Sequence, residues 1–150
     1  MRKVVIAGAS RTPMGGFQGE FADMTAAQLG GAAIRAALKG AGPAKVQEVL
    51  MGCVLPAGQG QAPARHAGFA GSGMKAAMIA FDQIALGHTD VMVAGGMESM
   101  TNAPYVLPKM RSGARLGHAA VVDHMFLDGL EDAYDKGRLM GTFAEDCAET

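Results

Sequence analysis

Residues 66–87, HAGFAGSGMKAAMIAFDQIALG, decide how the rest of the chain is read. From Ser72 onward, Met74, Ala77, Met78, Phe81, Ile84 and Ala85 recur at helical spacing, and Gly87 stands where a C-terminal cap belongs. That spacing predicts a helix over 72–86. Its polar positions, Lys75 and Asp82, form a narrow stripe, which predicts burial around most of its circumference. Gly71-Ser72-Gly73 opens the helix as a tight turn, a place that suits a nucleophile. Yet the residue just ahead of the turn is Ala70, which offers no chemistry.

Upstream, Lys3-Val4-Val5-Ile6-Ala7 is a β-branched apolar run, expected to be a strand buried on both faces. It breaks at the glycine-rich loop GASRTPMGGFQG. Thr25-Ala26-Ala27-Gln28 fits a capping box and starts a predicted helix over 25–39, which stops at Gly40-Ala41-Gly42-Pro43. Gln28, Arg35 and Lys39 share one narrow stripe, so this helix too is expected to be mostly buried. Val49-Leu50-Met51-Gly52 with Val54-Leu55 reads as a second strand, residues 62–67 as a short helix, and residues 90–94 as a further strand. Gly95-Gly96 then serve backbone geometry after that strand. The order β-α-β-α-α-β points to an α/β fold with a mainly parallel sheet and buried helices. One step breaks the alternation. Two helices meet near 69–71 where a strand is due, and a strand with its turns needs roughly a dozen residues.

Composition narrows the function classes. The chain has 150 residues, 49% hydrophobic and 18% charged, with a formal net charge of −1. That balance excludes a disordered chain, and no basic stripe makes a case for nucleic acid. Its 22 glycines are about twice average usage, which fits tight turns and close helix approaches. No apolar run reaches the roughly 18–20 residues of a membrane span, and the short N-terminal run is too brief for a signal peptide. A cytoplasmic protein that does not engage membranes is the expectation. Cys53 and Cys147 suggest buried thiols rather than a disulfide framework. His66, His88, His118 and His124 show no metal-ligand spacing, so no metal site is expected. A nucleotide-binding βαβ module on GASRTPMGG is a weak alternative, because the loop lacks G-x-G-x-x-G and the matching acidic residue.

From Pro104 onward the character changes. The stretch is irregular, with Lys109, Arg111 and Arg115 clustered and no further strand expected before a helix start near the end. Five segments together resemble the thiolase family, in that family's order. They are Ser10-Arg11-Thr12-Pro13, VLPAGQGQAPAR (54–65), GSGMKA (71–76), VAGGMESMTNAPY (93–105) and LMGTFAED (139–146). The likeness is nearest to the bacterial type that acts on acetyl-CoA. It implies a layered α/β sandwich of two similar halves, of which only one is represented here. Residues 1–104 would be the N-terminal half, with an apparent deletion between Arg65 and Gly71, and residues 105–150 the start of an inserted loop domain.

The resemblance also implies the chemistry. In that family a cysteine directly precedes the Gly-Ser-Gly turn and attacks an acyl-CoA thioester, helped by a helix N-terminus that favours the thiolate. Ala70 stands at that position here, and the strand leading into the cysteine is the one the alternation lacks. The family's histidine, second cysteine and asparagine have no counterpart, so no catalytic residue is assigned. Leu139 and Met140 align with a His-Met pair that lines the acyl-CoA pocket, with Leu139 departing from the pattern. Leu130 aligns with another pocket-lining leucine. Coenzyme A thioesters would be substrates and no resident cofactor is implied. The 109–115 cluster matches a loop through which family members form homo-oligomers, dimers or tetramers; a solvated loop is the plainer reading. The alternative to a catalytic parent is a thiolase-derived assembly or binding fragment.

Overall fold

Thr25 starts the first helix by the means its neighbours allow. In the computed structural model, which describes residues 2–40, 42, 45–61 and 72–149, the Gln28 amide donates to the Thr25 hydroxyl at 3.2 Å. The Thr25 amide donates in turn to the Gln28 side chain at 2.8 Å. This reciprocal pair satisfies donors that a helix start leaves open. Helix α1 spans Ala26–Ala37. Gly42 then takes a φ of +76°, and its amide donates to the Leu38 carbonyl at 3.1 Å, so a residue without Cβ closes the helix end.

Strands β1 (Glu48–Gly52) and β2 (Met92–Gly96) pair in parallel, with Glu48 opposite Met92 and Gly52 opposite Gly96. Helix α2 lies between them in sequence, over Ser72–Leu86, and packs on both strands. A parallel pair requires such a crossover. Gly87 caps α2 with a φ of +81°, its amide 3.0 Å from the Ile84 carbonyl. Strand alternation then sorts the layers. Met51 on β1 and Met97 just past β2 face one side, where they form a buried cluster with Ala26 of α1. Gly30 of α1 approaches both methionines. Gly96 faces the other side, against Gly73 of α2. The two helices therefore cover opposite faces of a two-stranded sheet.

The structure departs from the sequence reading in several ways. Residues 3–7 form no strand; Val5 is 68% and Ile6 89% exposed. A run buried on both faces needs a neighbouring strand and covering layers, and among the described residues this sheet has two strands. The helices are also shallower than expected. Among the described residues α1 buries Ala26 and Gly30, and α2 only Ala76 and Ala80, while Met74 is 80% exposed and Met78, Phe81 and Leu86 are exposed too. A helix on the outside of a lone sheet has one covered face. Val54 and Leu55 do not prolong β1, because their amides turn to the Glu98 carboxylate. Strand β2 runs two residues later than 90–94 and takes in Gly95 and Gly96. Those glycines act inside the strand, where α2 comes close.

The chain divides into two compact units, Met1–Asn102 and Ala103–Thr150. In the second, a two-residue antiparallel pair, β3 (Tyr105–Val106) with β4 (Val122–Asp123), stands where no strand was expected. A π-helical turn follows over Phe126–Leu130, then helix α3 over Gly141–Ala148. Cys147 is exposed near the end of α3, not packed at a helix start, since this short helix buries none of its residues. The expected short helix over 62–67, the missing strand between Arg65 and Gly71, and Ala70 lie outside the described residues. No helix among the described residues is long and apolar enough to cross a membrane.

Candidate functional site

Two glycines, Gly73 and Gly96, set the position of the α2 N-terminus. A methyl built on Gly96 would stand 3.2 Å from the Gly73 amide nitrogen and 3.6 Å from the Gly52 carbonyl oxygen. One built on Gly73 would stand 3.3 Å from the Gly96 nitrogen. The absence of a Cβ at these positions lets helix and strand backbones meet. The Met97 amide donates to the Gly52 carbonyl at 2.9 Å and carries the strand contact one step further. The first turn of α2 thus sits over the carboxyl ends of two parallel strands, where open α/β sheets form their binding crevices. No acidic side chain occupies that first turn, and a helix start of that kind favours an anion.

Beside this seat, one carboxylate joins the loops that follow β1 and β2. Glu98 Oε2 accepts from the Val54 amide at 2.7 Å, and Oε1 accepts from the Leu55 amide at 3.2 Å and from the Cys53 thiol at 3.4 Å. The Gln59 side-chain amide donates to the Leu55 carbonyl at 2.7 Å and to Cys53 Sγ at 3.4 Å. Burial pushes the Cys53 thiol up from its ordinary value, and the Glu98 charge and hydrogen bond push it further the same way; Gln59 and the Leu55 backbone partly oppose this. Cys53, expected as a buried thiol, is half-buried and held by hydrogen bonds to Glu98 and Gln59 as well as by packing. Glu98 lies within the quoted segment 93–105 and was not singled out. No local pattern marks it, because its partners lie 43 to 45 residues away in sequence.

In the second unit the chain brings Leu130, Leu139 and Met140 together. Glu131 and Leu139 form an antiparallel bridge, and the Met140 amide donates to the Leu130 carbonyl at 2.9 Å. Leu130 is half-buried, whereas Leu139 and Met140 are 47% and 48% exposed. The turn between is tied by carboxylates. Glu131 accepts from the Gly137 amide and the Lys136 ammonium, at 2.8 and 3.1 Å, and Asp132 from the Tyr134 and Asp135 amides, at 2.8 and 2.7 Å. Those backbone donors, with Lys136 for Glu131, hold both carboxyls below the usual range. Arg138 stacks over the Phe143 ring at 4.3 Å and pairs with Asp146 at 2.7 Å, which fixes the start of α3. His124 is buried and pairs with Asp128 one helical turn on.

The Lys109–Arg115 segment is an exposed turn around Met110–Ser112, entered by Lys109 at a φ of +65°. A hollow of about 310 Å³ is lined, among the described residues, by Arg35, Leu38, Lys39 and Gly42. Among the described residues no cluster of His, Cys, Asp and Glu has the geometry to hold a metal ion.

Comparison with known proteins bears on this geometry. The family described as "Thiolase, N-terminal domain" matches residues 4–71 and 68–150. "Acetyl-CoA acetyltransferase 2" of Arabidopsis thaliana is 51% identical over 167 residues, an alignment that covers 99% of this chain and 41% of the plant protein. "Acetyl-CoA acetyltransferase" of Cupriavidus necator is 44% identical over 167 residues, covering 99% of this chain and 42% of its own length. The protein of the same name from Saccharomyces cerevisiae is 42% identical over 172 residues, covering 98% and 42%. The chain therefore spans about two fifths of the length of these relatives.

Proposed function

Given that the chain belongs to the thiolase family, we propose that it derives from an acyltransferase that moves acetyl groups between coenzyme A thioesters. The reaction would be Claisen condensation of two acetyl-CoA or its reverse, thiolysis of a 3-ketoacyl-CoA. The observation that carries this reading is the family match along nearly the whole chain, with relatives that bear the acetyl-CoA acetyltransferase name. In the parent enzyme a cysteine thiolate at the α2 N-terminus attacks the thioester carbonyl. The carbon–sulfur bond to coenzyme A breaks, that sulfur leaves as the thiol, and an acyl-cysteine remains for the second substrate. The close approach of Gly73 and Gly96 supports this assignment, because it places the start of α2 at the carboxyl edge of the sheet. Leu130, Leu139 and Met140 are assigned to acyl-CoA contact; their backbone pairing and the exposure of the last two support it. Acyl-CoA and CoA are the small-molecule partners, no resident cofactor takes part, and the protein is cytoplasmic.

The chain itself is assigned no turnover, because Ala70 holds the nucleophile's place. A deletion between Arg65 and Gly71 accounts for this better than a point change. Two observations support it: the family match comes in two pieces that meet at 68–71, and 167 aligned positions against 150 residues leave at least 17 without a residue of this chain. Incubation with acetoacetyl-CoA and CoA checks the assignment. The expected outcome is no loss of substrate above an empty-vector control, with a full-length relative that carries the cysteine active in parallel. Turnover by the chain would overturn it.

The exposed 109–115 turn favours a second reading, assembly into a homo-oligomer through that loop. A defined dimer or tetramer by size-exclusion chromatography with light scattering would support it, and a compact monomer would count against it.

A further inference from the structure

The contact between Glu98 and the loop after β1 is unlike the other carboxylate contacts of the first unit. Its two oxygens take two successive backbone amides and a thiol, at 2.7, 3.2 and 3.4 Å, across more than forty residues of sequence. Two amides released from the strand ladder at Gly52 thereby find partners, which a half-buried loop otherwise lacks. Because Glu98 follows β2 and the loop follows β1, the contact locks together the two strand ends that support the first turn of α2. Gln59 closes the loop on itself through the Leu55 carbonyl and touches the same sulfur. Among the described residues, the groups that face the Cys53 thiol are the Glu98 carboxylate, the Gln59 side-chain amide and the Leu55 backbone. Among the described residues no ion pair joins a cation to Glu98.

We propose that Glu98 is a positioning residue, whose carboxylate fixes the 53–59 loop beside the α2 N-terminus and holds Cys53 as a hydrogen-bond-donating thiol rather than a nucleophile. A carboxylate that accepts a thiol hydrogen favours the protonated sulfur, because the thiolate would face a like charge. The direction of the Cys53 shift agrees with that geometry. For a fold whose relatives work on thioesters, a second thiolate near the helix seat would compete for acyl groups, and Glu98 suppresses it. The inference goes beyond the acyltransfer reading and is tested without any substrate, so it stands or falls separately.

The test uses the 150-residue chain carrying Cys147→Ser, which leaves Cys53 as the single thiol. Its alkylation by iodoacetamide is followed against pH, with and without Glu98→Gln. The glutamine keeps the size of the side chain and removes its charge. The expected result is a midpoint lower by about half a pH unit or more, which corresponds to about threefold faster alkylation below the midpoint. A rate raised by the same factor at every pH, with the midpoint unmoved, would mean simple loosening of the loop and would overturn the proposal. So would no change at all. If circular dichroism shows the glutamine variant unfolded, the Cys147→Ser chain decides by hydrogen exchange. Val54 and Leu55 amides protected well beyond an unstructured peptide support the clamp, and exchange at the unstructured rate overturns it.

Discussion

Gly96 carries more of the architecture than any larger residue near it. A Cβ there would meet the Gly73 nitrogen at 3.2 Å, and a backbone neighbour cannot swing aside as a side chain can. Gly96→Ala is therefore expected to lower stability by about 1–3 kcal/mol, as overpacking does, seen as a lower urea midpoint at unchanged slope. Gly141→Ala is the control. Nothing lies within 4 Å of its built Cβ, so its midpoint should move by less than about 0.5 kcal/mol in equivalent stability. Residues differ in how openly the sequence shows their work. Thr25 and Gln28 act across three positions, and their pairing is legible as a spacing. Glu98 acts on Cys53, Val54 and Leu55, some 43 to 45 residues away, and no local pattern marks such a partner.

At the scale of elements, α2 has bounds that its spacing predicts and a burial that its spacing does not. Met74, Met78, Phe81 and Leu86 form an apolar surface facing solvent, while Ala76 and Ala80 meet the sheet. The double variant Met74→Gln, Met78→Gln should cost less than about 0.5 kcal/mol per site in this chain. It should also lower the fluorescence of a bound hydrophobic dye, because the exposed apolar patch shrinks. A large loss of stability would show that these methionines are packed after all. The carboxylate-tied turn at 131–139 gives a pH prediction. Glu131 and Asp132 are held below the usual carboxylate range, so their contribution is fully present above the unfolded-chain values of about 4 and is lost as pH falls through the lower folded values. The amide proton shifts of Tyr134, Asp135 and Gly137 should report that loosening in acid. In Asp132→Asn the transition should vanish at Tyr134 and Asp135, which Asp132 holds, and persist at Gly137, which Glu131 holds.

For the whole molecule, the exposed surface matters as much as the core. Val5, Ile6 and the outer face of α2 are apolar and uncovered, and surfaces of that kind bind partners or aggregate. The chain covers about two fifths of its relatives' length, and the two described strands of the β1–β2 sheet do not bury residues 3–7 on both sides. The sequence by itself determined the α/β class, the capping of α1, the extent of α2, the parallel order of β1 and β2, and the family to which the chain belongs. All of these rest on local spacing or on residue order, which one chain carries in full. Tertiary structure alone decided which helix faces are covered, that Gly95 and Gly96 lie inside β2, and that Glu98 joins two loops. Those depend on what stands opposite each residue, and among the described residues the β1–β2 sheet with one helix on each face leaves further apolar surface uncovered.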